Sequence, residues 1–271
     1  YFCSLVLFRF LESYTGKVDL LNATNDQGEA AVHEAATMGH SEILWKLINK
    51  GAHLGNPGSN QAITLMFAAI NHPNIDLLDH LQAKGLVDVH AEQHGRVPLI
   101  EAVRQGDRKI VDWLIQHGAN VTARAQDYTQ ETAMAVAAFE DRFPIMWALH
   151  EAGAPLTELN EYGGTVLMSA AHFGHKDDVE KLLAKGLDVN AANRRGDTPL
   201  SLACSRDDLP LVELLLARGA KMEARATRYD TPLMRASRFR RVATVKFLLE
   251  RTKSEEVDAQ NAQGNTALIE A

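Results

Sequence analysis

A seven-residue motif recurs along the whole of this 271-residue chain. Each copy has an apolar residue at its third position, alanine at its sixth and, in most copies, a small residue at its seventh. The copies begin at Ala30, Ile63, Val97, Thr132, Thr165, Thr198, Thr231 and, cut short, Thr266. Successive copies are therefore 33, 34, 35, 33, 33, 33 and 35 residues apart. Such a period predicts a stack of similar units, each packed on its neighbours, and not one or two compact globular domains.

The copy that begins at Thr198 shows how one unit is built. Threonine caps the start of a helix well, and Pro199 suits the first helical position because its missing N–H would have no partner there. Apolar residues at 211, 212 and 214–216 then follow at the spacing of a second helix. That helix ends with Arg218 in its last turn and Gly219 just beyond it, the pattern typical of a helix C-terminus. Each unit is thus predicted to be a helix–turn–helix.

The period and several local motifs together resemble the ankyrin repeat. The matching motifs are Thr-Pro-Leu at 198–200 and 231–233, Gly-His at 174–175 and Asp-Val-Asn at 188–190. The resemblance covers nearly the whole chain. It implies an all-α fold, a solenoid of stacked helix–turn–helix units with projecting turn or β-hairpin tips.

The register of the motif also predicts the domain organisation. Residues 1–24 would form a partial N-terminal repeat or cap. Seven full repeats would follow at 25–57, 58–91, 92–126, 127–159, 160–192, 193–225 and 226–260, and residues 261–271 would begin a further, truncated repeat. Because the chain starts without Met and stops within a repeat, we expect it to be a fragment, or the ordered part, of a longer protein. The fourth repeat departs most from the pattern, with Gln130 in place of the turn glycine, and this predicts a softer joint or a local change in curvature.

Composition fits this architecture and indicates a compartment. Aromatic residues make up only 6% of the chain, as expected for a core of alanine and leucine between closely packed helices. Cys3 and Cys204 are the only cysteines and lie far apart, which predicts a reducing, cytoplasmic environment without a disulfide. Cys204 occupies the small seventh position of the motif and is interpreted as a core residue. No apolar run approaches the ~20 residues that a membrane-spanning helix needs, so no membrane insertion is predicted.

Histidines and paired carboxylates are the residues most open to a catalytic or metal-binding interpretation. The resemblance implies structural roles for His33, His40 and His175. Two pairs have a spacing that can bring metal ligands together, His90 with His94 and His172 with His175, but no third ligand is indicated. The acidic pairs at 140–141, 177–178 and 207–208 come just before or within the first turn of second helices, where they complement the helix dipole. Because motifs of nucleotide-binding, hydrolase and metalloprotease sites are absent from the sequence, we predict no catalytic residue, metal or cofactor, and a protein that is not an enzyme.

The resemblance implies that partners bind the turn tips and the exposed side of the first helices, which together line a concave surface. In the later repeats these positions collect aromatic and basic residues, the types enriched at interface hot spots. The predicted partner-binding residues are Tyr162, Phe173, Arg194, Arg195, Arg206, Arg228, Tyr229, Arg235, Arg238 and Phe239.

The charge along the chain is uneven. Residues 1–160 hold 11 Lys and Arg against 19 Asp and Glu, whereas residues 190–241 hold 11 against 6, in a chain of net charge −7. A basic region on an acidic protein predicts a protein partner with an acidic surface. Arginines that serve only as solvated surface, or that bind a phosphorylated segment, remain alternatives. Nucleic acid is a weaker interpretation, because the pI is about 5.9 and no known nucleic-acid-binding module is present.

Two functions remain open from the sequence. The first is a non-catalytic scaffold that binds a partner protein on its concave face, centred on repeats five to seven. The alternative is the targeting or substrate-recruiting arm of a larger enzyme or bacterial effector, whose catalytic domain lies outside this chain. The sequence indicates no oligomeric state.

Overall fold

The computed structural model describes residues 21–26, 28–126, 129–222 and 230–271, and these residues are mostly helical. Most of the helices form consecutive pairs: α1 (Ala31–Thr37) with α2 (Ser41–Asn49), α3 (Asn60–Asn71) with α4 (Ile75–Ala83), α5 (Pro98–Gln105) with α6 (Arg108–Gln116), α7 (Ala133–Phe139) with α8 (Phe143–Glu151), α9 (Val166–Phe173) with α10 (Lys176–Ala184), α11 (Pro199–Cys204) with α12 (Leu209–Ala217), and α13 (Pro232–Arg238) with α14 (Val242–Leu249). Two short helices follow, α15 (Ser254–Val257) and α16 (Ala267–Glu270). The predicted all-α fold of stacked helix pairs is confirmed.

The chain divides into two compact units, residues 1–128 and residues 129–271. In the first unit, α1, α3 and α5 pack on one another in sequence order. In the second unit, α9 lies between α7 and α11, α13 packs on α11, and α16 packs on α13. Each first helix also packs on its own second helix, so every unit is built from the same local contact repeated.

The ends of the helices follow from the residues that flank them. The Thr198 side chain accepts a hydrogen bond from the Ser201 backbone N–H at 3.3 Å, and Pro199 occupies the first position of α11. Asp208 caps α12 in the same way, accepting from the Leu211 N–H at 3.1 Å. These caps satisfy N–H groups that a helix leaves unpaired at its start.

Alanine and larger apolar side chains together line the helix contacts. Residues 65–70 of α3 are all buried in the first unit, and residues 133–138 of α7 are all buried in the second. Cys204 at the end of α11 is fully buried, which fits its interpretation as a small core residue. The low aromatic content thus goes with a core in which alanine side chains pack between the helices.

The projecting tips are simpler than full β-hairpins. Isolated antiparallel bridges join Thr24 to Ala30, Gln93 to Arg96, and Leu159 to Thr165. At these three tips, the family's hairpins are represented by turns with isolated bridges. Within the described part of the chain, every helix is too short or too polar to cross a membrane.

The predicted fourth repeat is regular in its helices and unusual in its turn. Thr132 caps α7 by accepting from the Ala135 N–H at 3.3 Å. Gln130 adopts a φ of +52°, a conformation that glycine takes more readily. The softer joint and the exact repeat boundaries stay predictions, and the predicted N-terminal cap lies, except for residues 21–24, outside the described residues.

Candidate functional site

A groove of about 450 Å³ opens on the side of the second unit that carries the first helices and the turns before them. We call it the aromatic groove. It is lined by Phe139, Asn160, Tyr162, Gly164, Met168, Ser169, His172, Phe173, Asn193, Arg195, Asp197, Leu202 and Arg235. Four consecutive first helices, α7, α9, α11 and α13, and the turns before α9 and α11 therefore contribute to one surface.

Asparagine side chains hold the two turns in shape. Asn160 Oδ1 accepts a hydrogen bond from the Tyr162 N–H at 3.0 Å, and Asn193 Oδ1 accepts from the Arg195 N–H at 2.8 Å. The Arg194 N–H donates to the Tyr162 carbonyl at 3.0 Å and so joins the two turns. Because these bonds use the backbone of the exposed residues, the side chains of Tyr162, Arg194 and Arg195 take no part in them.

The groove is rich in partly exposed aromatic side chains. Phe139 is 50% exposed and Tyr162 is 43% exposed, and their ring centroids are 6.3 Å apart. The guanidinium of Arg195 lies 5.4 Å from the centre of the Tyr162 ring. Phe173, which is half-buried, contacts His172 edge to face at 5.1 Å. Each of these separations lies within the range of favourable aromatic or cation–π contacts.

Basic groups dominate the electrostatics of the floor. Arg235 forms an ion pair with Asp197, which is itself largely buried. Burial lowers the pKa of His172, and the positive charges of Arg206 and Arg235 lower it further. His172 is therefore neutral at neutral pH and adds no positive charge to the groove.

The structure brings together four of the ten predicted binding residues. Tyr162, Phe173, Arg195 and Arg235 line the aromatic groove. Arg194 is exposed on the same turn as Arg195.

Other predicted binding residues are engaged within the fold or lie elsewhere. Arg206 is exposed but donates to the His172 carbonyl at 2.9 Å. Arg238 is bound by carboxylates, and Phe239 is 45% exposed but outside the lining of the groove. Arg228 and Tyr229 fall outside the described residues.

Several groove residues were missed by the sequence interpretation. Phe139 belongs to the fourth predicted repeat, outside repeats five to seven on which the predicted surface is centred, and Met168 looks like an ordinary core residue in sequence. Asp197 is acidic, whereas the predicted binding residues are aromatic and basic. Phe139 ends a first helix, and that register position was the signal that would have found it.

Arg238 is the centre of a polar cluster between α13 and α16. It donates to Asp230 Oδ2 and to Glu270 Oε2, each at 2.7 Å. Asn261 is buried and donates to Asp230 and Glu270, each at 2.9 Å. This arginine is therefore a structural link between consecutive first helices as well as a predicted surface residue.

The Glu270 carboxyl is expected to titrate well below its usual range. The hydrogen bond from Arg238, followed by that from Asn265, lowers the pKa of Glu270 from 4.5 to about 2. Because the pKa is lower in the folded protein, the charged carboxylate stabilises the fold above pH 4.5, and that contribution is lost as the pH falls towards about 2. Carboxyl carbon NMR shifts of Glu270 measure this midpoint. In Arg238→Met the midpoint should rise towards 4.5, and a wild-type midpoint already near that value would contradict the assignment.

The residues with possible chemistry are held as structural parts. His33 Nδ1 accepts from the Ala30 N–H at 3.1 Å, and burial lowers the pKa of His33. His175 precedes α10 and pairs with Asp141. Burial raises the pKa of Cys204 to about 12, so its thiol stays protonated and is a poor nucleophile. Among the described residues, groups of three or more possible metal ligands do not occur.

Comparison with known proteins agrees with the repeat architecture. A family model described as ankyrin repeats in three copies matches residues 33–125, 65–159, 135–226 and 200–271. The ankyrin repeat domain-containing protein SAT10 of Stachybotrys chartarum is 33% identical over 188 residues, which are 68% of this chain and 9% of that protein. The transient receptor potential cation channel subfamily A member 1 of Drosophila melanogaster is 28% identical over 210 residues, 73% of this chain and 17% of the channel.

A third relative is the ankyrin repeat protein nuc-2 of Neurospora crassa, 26% identical over a 217-residue alignment that covers 67% of this chain and 20% of that protein. The chain thus spans a fifth or less of the length of each of these relatives. Overlapping family matches extend from residue 33 to residue 271. The chain belongs to the ankyrin repeat family.

Proposed function

We propose that this protein is a non-catalytic interaction scaffold that binds an acidic partner protein through the aromatic groove and the basic turn beside it. Ankyrin repeats generally bind protein partners, and the family is generally non-catalytic. The observation that carries the proposal is the presence of solvent-exposed aromatic rings and exposed arginines at the same groove. We also propose a cytoplasmic location, in keeping with the buried free thiol of Cys204.

The energetics of the groove favour binding. Aromatic rings that stay half in water gain free energy when a partner covers them, and such rings together with arginine are the usual hot spots of interfaces. Exposed arginines at the rim attract an acidic surface and increase the rate of encounter. Arg235 and Arg238 form ion pairs that stabilise the fold. By contrast, no carboxylate of the described residues forms an ion pair with Arg194 or Arg195.

A second candidate is that the chain is the targeting or substrate-recruiting arm of a larger protein, such as an enzyme or bacterial effector. The observation that favours it is the length of the relatives, of which this chain matches 9% to 20%. One relative is, by name, a cation channel, so the segment that resembles this chain is there part of a protein with another activity. The coding sequence around the segment tests this candidate, which requires a further domain in the same reading frame.

Charge reversal at the turn is expected to weaken partner binding strongly. The test variant carries Arg194→Glu and Arg195→Glu. The backbone hydrogen bonds of these two residues do not depend on their side chains. The matched control is Lys176→Glu with Lys185→Glu, exposed residues at the two ends of α10 that undergo the same change in charge. We expect partners captured by the wild type and by the control to bind the test variant at least ~10-fold more weakly.

The measurement is affinity capture from cell extract with quantitative mass spectrometry, followed by binding of the purified partner. Circular dichroism checks that both variants keep their helices. Equal binding by the test variant and the wild type would refute this face as the binding surface. Equal losses in the two variants would show that overall charge, and not the groove, controls binding.

A further inference from the structure

We propose that the aromatic groove selects a partner segment in which an aromatic side chain stands next to aspartate or glutamate. The aromatic ring packs on the exposed surfaces of Phe139, Tyr162 and Phe173, and the carboxylate binds Arg195 and Arg194. The proposal rests on the proposed function, because it requires a protein partner at this face. It adds the chemistry by which that partner is chosen.

The size and lining of the groove suit a ring. Its volume of about 450 Å³ lies within the range of pockets that enclose compact ligands. Met168 is fully buried beneath the groove, and sulfur makes favourable contacts with aromatic rings. Phe139 and Tyr162, 6.3 Å apart and tilted by 38°, leave their ring surfaces partly in solvent. A ring from the partner would therefore cover apolar surface that the fold itself leaves exposed.

A cationic ligand fits this groove poorly, although aromatic groups often bind ammonium ions. The Tyr162 ring already lies against the guanidinium of Arg195. The carboxylate of Asp197, which could neutralise a ligand cation, is paired with Arg235. A lysine or methylated amine would thus meet the Arg195 cation at the first point and an already neutralised carboxylate at the second.

An anionic neighbour to the ring fits better. Arg194 and Arg195 are exposed, and the described residues place no carboxylate within ion-pair distance of either. A guanidinium offers a carboxylate two parallel hydrogen bonds, so each arginine can hold an acidic side chain. The neighbouring Glu161 carboxylate raises the pKa of the Tyr162 phenol. The partner carboxylate is therefore placed at the arginines and away from the hydroxyl.

The test selects ligands without assuming a partner. A phage-displayed library of short random peptides is selected on the full immobilised chain, with and without added salt. We expect enriched peptides to carry Trp, Tyr or Phe within two positions of Asp or Glu. Their affinity should fall at least ~10-fold in Arg194→Glu/Arg195→Glu and in Phe139→Ala, fall with increasing salt, and stay unchanged in Lys176→Glu/Lys185→Glu.

The outcomes separate this proposal from the proposed function. Enriched peptides that are basic, that lack aromatic residues or that bind equally well to the groove variants would overturn the selectivity, as would the absence of any enrichment. If the peptide selection fails in one of these ways but capture of whole partners from extract still requires Arg194 and Arg195, the proposed binding face stands. Only the proposed preference for an aromatic residue beside a carboxylate then fails. If acidic–aromatic peptides bind the groove but the groove variants capture partners from extract as well as the wild type does, the proposed function fails instead.

Discussion

Replacing Phe67 with alanine is expected to lower the free energy of unfolding by about 4 kcal/mol, the usual cost of removing a buried phenylalanine. Phe67 lies in α3 of the first unit, is 1% exposed, and has Arg96 at 5.3 Å from the centre of its ring. The substitution removes apolar contacts and leaves a cavity that the tightly packed neighbouring alanines cannot fill. Urea denaturation followed by circular dichroism measures the loss.

Phe139→Ala is the matched control, because Phe139 also belongs to a first helix but is half exposed. Its effect on unfolding should stay below about 1 kcal/mol, while peptide binding at the groove weakens. The two phenylalanines are thus expected to separate stability from binding. A larger loss of stability in Phe139→Ala than in Phe67→Ala would contradict both assignments.

Arg238→Ala is expected to cost about 3 kcal/mol, because it leaves two largely buried carboxylates without their cation. Asp230 is 5% exposed, and both it and Glu270 accept from Arg238 at 2.7 Å. The two acidic groups would then repel each other and lose their strongest donor. Amide exchange should accelerate in α13 and α16, the helices that this cluster joins.

Arg218→Ala provides the comparison for this prediction. Arg218 pairs with Glu180 at the same distance of 2.7 Å, but both side chains are substantially exposed. We expect a loss below about 1 kcal/mol, since water screens and replaces such a pair. Equal losses from Arg218→Ala and Arg238→Ala would show that burial of the carboxylates does not set the energy.

The sequence predicted the helices and their ends because those depend on neighbouring residues. Thr198 and Pro199 begin α11 as expected, and the alanine motif lies in the buried first helices. Some arginines have their partners one repeat away instead. Arg235 pairs with Asp197, 38 positions earlier, and no local pattern distinguishes it from an exposed arginine.

The groove could be predicted only in part for the same reason. Aromatic and basic residues at turn and helix-end positions were recognisable, and Tyr162 and Arg195 do line it. Its volume depends on how far apart four helices and two turns lie, which a repeat register does not give. Phe139 lies in a repeat that departs from the family pattern. It reaches the groove because it is the last residue of α7.

The asparagines of the turns have a consequence for how this surface can change over generations. Asn160, Asn193 and Asn261 each bind the backbone N–H of the residue two positions further on, at 3.0, 2.8 and 3.0 Å. The residue that receives this support can therefore be exchanged with little effect on the turn. As long as the asparagines are kept, the turns keep their shape. Substitutions at Tyr162 and Arg195 can then change what the surface binds without unfolding the protein.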